Sequence, residues 1–176
     1  ALCREPGDIR CNNAMGLLLM RKGQFANAET FLQKAIETQI ERSPNPYDGE
    51  PYYNLGWCLD MQGKKDEAYK AFFKATWNAA WQDSGYYELA RIDAGKGLWE
   101  DALNRIDRSL IRNLHNQKAR QLKASILRKL DRKEEALALI EESLKIDKFN
   151  MGCRFEKYLL TNNPADLDEL KTIMRG

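Results

Sequence analysis

The chain has 176 residues, 43% hydrophobic and 31% charged, and its 28 Lys and Arg against 26 Asp and Glu give a formal net charge of +2. That balance suits a globular chain able to bury a core and falls short of the electrostatic footprint of a nucleic-acid binder, so no nucleic-acid partner is expected. No apolar run approaches the ~18 residues of a membrane span, and no membrane partner is expected either.

Four alanines, Ala28, Ala68, Ala102 and Ala136, each stand five positions after Gly23, Gly63, Gly97 or Asp131, and the last three sets recur every 34 residues. A 34-residue period marks a helix–turn–helix solenoid. In the second set Tyr52, Leu55, Gly56 and Leu59 give a first helix a bulky face with a small notch, where a second helix can approach closely. Gly63 turns the chain, because glycine adopts a positive φ at no cost, and Asp131 is a short polar residue that tolerates the same conformation. Ala68, Phe72 and Ala75 then line one face of the second helix.

In chain order, the first repeat offers Asn12, Met15, Gly16, Leu19, Ala28, Leu32 and Ala35. The surplus before the second repeat, Glu41 to Glu50, holds two prolines, Asn, Asp and Gly and reads as a loop. Trp77 and Trp81 are expected late in the following second helix, buried against the third repeat. That repeat carries Tyr86, Leu89, Ala90, Ile106 and Ser109; the fourth keeps Ala124, Leu127, Ile140 and Ser143 but has Arg120 and Lys123 where the pattern wants bulk. Met151 to Leu160 reads as another first helix. Asn163-Pro164-Ala165-Asp166 then starts a last helix, with a capping Asn, Pro at the first helical position and an acid in the first turn. Leu167, Leu170, Ile173 and Met174 give that helix one apolar stripe.

These residues resemble the tetratricopeptide repeat, which implies an all-α, right-handed superhelical solenoid. The expected organisation is a remnant of a preceding repeat over 1–7, four repeats over 8–40, 49–82, 83–116 and 117–150, and a C-terminal capping helix pair over 151–176. Carried back by 34, the register sets Ala1 on the last alanine of an earlier second helix and Pro6 on the proline that follows it, so the chain is read as cut from a longer one. Stretches such as Arg10 to Gly16, Asn45 to Gly56 and Lys74 to Asp83 also resemble the C-terminal repeat region of large multidomain bacterial proteins, where a β-rich, carbohydrate-related domain precedes the repeats.

The resemblance implies a concave wall built from the fifth, ninth and twelfth residue of each repeat. Those positions hold Asn13, Leu17 and Met20; Tyr53, Trp57 and Asp60; Tyr87, Arg91 and Ala94; and Gln121, Ser125 and Arg128. Tyr53, Trp57 and Tyr87 are rigid aromatics of the kind that carry binding energy, or alternatively fill the contact between neighbouring first helices. Arg91, Lys118, Arg128 and Lys129 lie at or near the wall, and from Arg105 to Glu135 ten Lys and Arg face four Asp and Glu. The carboxylate clamp that holds chaperone C-termini wants Lys and Asn where this chain has Asn13 and Leu17, so docking by that route is not expected.

Catalytic chemistry finds little support. His115 is the one histidine, in a loop; Ala94-Gly95-Lys96-Gly97 lacks the Ser or Thr and the preceding strand of a phosphate loop and reads as a helix end plus turn. Asp66-Glu67, Glu100-Asp101 and Glu134-Glu135 fall where second helices begin and complement the helix dipole. Cys3, Cys11, Cys58 and Cys153 form no CxxC pair and read as small buried residues in a reducing, cytoplasmic setting. No metal or cofactor is expected. The reading is a non-catalytic scaffold that binds an extended protein or peptide segment, acidic with an apolar anchor. The alternative is the accessory part of a bacterial carbohydrate-active enzyme, partnered by a carbohydrate-acting domain of the same chain.

Overall fold

The computed structural model describes residues 5–43 and 48–175; Ala1, Cys3 and the centre of the long loop, Pro44 to Tyr47, lie outside the described residues. The described residues form ten α-helices and no strand: α1 Ile9–Arg21, α2 Phe25–Arg42, α3 Glu50–Met61, α4 Lys65–Ala75, α5 Gln82–Gly95, α6 Trp99–Arg112, α7 Gln117–Lys129, α8 Lys133–Ile146, α9 Met151–Thr161 and α10 Pro164–Arg175, with a 3-10 turn at Ala79–Trp81. None of these helices is long and apolar enough to cross a membrane. The chain divides into two compact units, Ala1–Leu89 and Ala90–Gly176.

In the first unit Asp8 caps α1 by accepting the Cys11 N–H at 2.6 Å. Gly23 and Gly63 then turn the chain at φ 73° and 78°. A Cβ at either glycine would meet nothing within 4 Å, so the turns need the dihedral and not the space. Gly16 and Gly56 show the opposite need. A Cβ on Gly16 would come 2.6 Å from Leu32 Cγ, and one on Gly56 2.6 Å from the Phe72 ring, which is the notch the sequence suggested. Leu32 and Phe72 fill these notches and are fully buried, as are Ala28, Ala35, Ala68 and Ala75 on the same helix faces. Burial of Leu32 and of Phe72 contributes about 1.5–3 kcal/mol each relative to exposure.

The two tryptophans depart from expectation. Helix α4 stops at Ala75, the Thr76 hydroxyl bonds back to the Phe73 carbonyl, and Asn78 caps the 3-10 turn through Ala80 N–H. Trp77 therefore sits in a turn, mostly exposed, with the Lys74 ammonium 3.6 Å from its ring centroid. Trp81 is half-buried inside the first unit, against Tyr53 and the backbone at Gly49. The local capping residues outweighed the helical spacing on which the expectation rested.

In the second unit α7 packs on α6, α8 and α9, and α9 packs on α8 and α10. Ala102, Ile106 and Ser109 on α6 and Ala136, Ile140 and Ser143 on α8 are fully buried. Gly97 turns at φ 77° and Asp131 at φ 59°. The acid pairs lie in the first turns of α4, α6 and α8, where they meet the free N–H groups. Asn163 accepts the Ala165 N–H at the start of α10. Of its apolar stripe Leu170 is buried, but Met174 is exposed and lies off the packed face.

Arg120 stands where the first unit has Tyr52, and it is fully buried. Its Nε donates to Ser143 Oγ at 2.7 Å and its Nη1 to the Leu114 carbonyl at 3.2 Å. Its Nη2 lies 2.8 Å from Glu142 Oε2, an ion-pair distance without the alignment of a hydrogen bond. The position does hold bulk, supplied by a flat cation that a serine makes room for.

Candidate functional site

The first unit carries an aromatic cluster. Tyr53 and Trp57, one helical turn apart on α3, both pack on the buried Phe72 ring of α4, edge-on at centroid separations of 5.6 and 6.4 Å. Trp81 closes on Tyr53 at 4.9 Å. Burial pushes the Tyr53 hydroxyl above the ordinary tyrosine range, against the Trp57 indole N–H that donates to it, and Glu88, Asp83 and Tyr87 act in the same upward direction as burial. Tyr53, Trp57 and Tyr87 are each half-buried, and the Tyr53 and Trp57 rings are held from behind by Phe72. Such rings lose little conformational freedom when a ligand covers them.

The other candidates in this unit are engaged differently. Asn13 is buried, its Oδ1 accepting Asn54 Nδ2 at 2.9 Å, and so ties α1 to α3. Asp60 is buried with Lys65 Nζ 2.6 Å from its Oδ1. Leu17 is half-buried.

In the second unit Arg91 is half-buried, and the exposed Gln121 lays its side chain over Gly152 of α9. Arg128 is half-buried, and its Nε donates to Glu156 Oε2 at 2.7 Å. That carboxylate comes from α9 and is itself buried. The Arg128 charge is thus already answered within the chain.

Sequence reasoning passed over four residues. Phe72 reads as packing alone, and Glu156 lies 28 positions from Arg128, beyond any helix-periodic signal. The other two are legible: carrying the 34-residue step from Gln121 and Ser125 lands on Phe155 and Leu159, both exposed. Among the described residues no group of three His, Cys, Asp or Glu could hold a metal ion. Cys58 and Cys153 are buried free thiols whose burial pushes them above the ordinary thiol range, and Cys11 is half-buried. His115 is exposed in the α6–α7 loop.

Paired helices, left-handed turns and small-residue notches at a 34-residue step define a repeat solenoid, and sequence models of the tetratricopeptide repeat match residues 8–75 and 87–150. The chain belongs to the tetratricopeptide-repeat superfamily. Solved structures share the fold. MamA superposes with a TM-score of 0.74 at 19% identity, over 84% of this chain and 82% of its own. YrrB, described as a TPR protein with an unusual peptide-binding site, gives 0.75 at 17% over 99% and 87%. A tetratricopeptide repeat protein from Parabacteroides merdae gives 0.73 at 22% over 95% and 64%.

Proposed function

We propose that the chain is a non-catalytic protein-interaction module that receives an extended partner segment along its first helices, with an apolar anchor on Tyr53, Trp57 and Tyr87. The observation that carries this reading is the aromatic cluster: Tyr53 and Trp57 packed on the buried Phe72 ring and Tyr53 on Trp81, with Tyr87 half-buried on α5. The peptide-binding site in the description of YrrB is in keeping with it. In the second unit, taken by itself, an acidic group reaches Arg128 only in exchange for Glu156. Asn13 and Asp60, already engaged, shape the wall more than they contact the segment. Gln121 and Arg91 are the polar positions that the second unit, taken by itself, offers to a partner.

The test begins with a peptide selected against the intact chain from a displayed random library. Trp57→Ala is expected to weaken that peptide by about 2 kcal/mol or more, roughly 30-fold. Unchanged affinity with an unchanged circular dichroism melt refutes the assignment. Free oligosaccharides in the same assay discriminate a sugar-binding platform, since aromatic faces stack on sugar rings as well.

A further inference from the structure

Large apolar side chains stand exposed at two loop tips of the second unit. Ile111, in the last turn of α6, is 79% exposed, and Leu114 in the following loop 57%; Ile146, ending α8, is 44% exposed, and Phe149 in the loop to α9 61%. Helices α6, α7, α8 and α9 pack in succession through short connections, so the α6–α7 and α8–α9 loops emerge at the same edge of this unit. A 34-residue step from Ile111 and Leu114 reaches Lys145 and Lys148, so equivalent positions of the two tips alternate apolar and cationic. Arg112, Lys118, Lys145 and Lys148 are all exposed here. Asp147 lies in the second tip, its Oδ1 accepting the Phe149 N–H at 2.9 Å; Glu141 and the exposed Glu142 lie a turn back along α8, Glu142 paired with Arg120, whose Nη1 bonds the Leu114 carbonyl of the first tip.

Folding explains none of this exposure, because the packed faces of α6 and α8 lie elsewhere, on Ile106 and Ile140. Single apolar side chains, each beside a cation and separated by the width of a repeat, do not make the continuous groove that a peptide needs. They do match a fluid interface, which accepts separate side chains at any spacing while anionic headgroups pair with flanking Lys and Arg. We propose that this edge docks the protein on an anionic lipid bilayer as a peripheral contact, with Ile111, Leu114, Ile146 and Phe149 entering the interface and Arg112, Lys118, Lys145 and Lys148 facing the headgroups.

Co-sedimentation of the intact chain with phosphatidylcholine vesicles, with and without 30% phosphatidylserine, tests the proposal. Binding is expected only with phosphatidylserine, falling in 0.5 M NaCl. It should drop at least tenfold in Ile111→Ser/Phe149→Ser and in Lys145→Glu/Lys148→Glu, whose melts should match the parent because all four positions are solvated. Equal binding to both vesicle types, none to either, or undiminished binding by the variants overturns the proposal. So does capture of soluble polyglutamate but not of anionic vesicles, which assigns the edge to an acidic protein. Trp57→Ala should bind vesicles normally, so the result is independent of the aromatic site.

Discussion

The two units close the same helix-to-helix contact with different residues. In the first, glycine on the first helix faces a large side chain on the second, Gly16 against Leu32 and Gly56 against Phe72. In the second, the matching positions are Ala90 with Ile106 and Ala124 with Ile140, all fully buried. One turn further along the second helices, Ala35 and Ala75 give way to Ser109 and Ser143, also fully buried. A methyl gained on one helix is balanced by a smaller or branched residue on the other, so the repeat constrains the sum of facing volumes more than either identity.

The largest expected effect lies where the units differ in polarity, at Arg120. Its guanidinium has left water for one good hydrogen bond to Ser143, a longer one to Leu114 and an ion pair with the exposed Glu142. Arg120→Ala removes bulk and bonds together and should cost about 2–5 kcal/mol in denaturant unfolding. Arg120→Met with Ser143→Ala rebuilds an apolar seat like that of Tyr52 and Ala75, and should recover most of the loss, since well-packed apolar replacements of buried charges are often near neutral. If the double variant is as unstable as Arg120→Ala, the bond to Leu114 anchors the loop and matters more than volume.

Next comes the notch. Gly56→Ala puts a methyl 2.6 Å from a buried ring that cannot turn away, and should cost about 1–3 kcal/mol. Ala124→Gly leaves no clash and should cost about 1 kcal/mol through helix propensity. Volume matching makes a sharper claim: Gly56→Ala with Phe72→Ile, the pairing of the second unit, should be more stable than the sum of the two single changes. A double-mutant cycle without coupling rejects the volume rule.

Much of this architecture was legible because a repeat states each local rule several times. The turn positions, the notches at Gly16 and Gly56 and the acids opening α4, α6 and α8 each follow from one residue's backbone or dipole preference. What stayed hidden depends on partners distant in sequence. Arg128 reads as an open cation until Glu156 arrives from α9, and Asn13 as a wall residue until Asn54 takes its oxygen. Trp77 and Trp81 misled because the capping by Thr76 and Asn78 interrupts a helical spacing that otherwise fits. Of the candidate site, the aromatic positions Tyr53 and Trp57 were readable; the ring behind them was not recognised as part of it.

The smallest effect separates dihedral from side chain at the turns of the second unit. Gly97 and Asp131 occupy equivalent places at φ 77° and 59°, and a Cβ on Gly97 would touch nothing within 4 Å. Space is therefore irrelevant and only the left-handed backbone decides. An ordinary L-residue there costs roughly 1–2 kcal/mol, less for Asp. Asp131→Gly relieves that strain but adds freedom to the unfolded chain, so the net gain should be under about 1 kcal/mol. Asp131→Ala keeps the strain without the local polar compensation and should lose about 0.5–1 kcal/mol. The exposed pair of Asp131 with Lys133 at 3.5 Å is too solvated to reverse this order. Thermal unfolding should rank Gly above Asp above Ala at position 131; if Gly and Ala melt together, the positive φ is not what the turn selects.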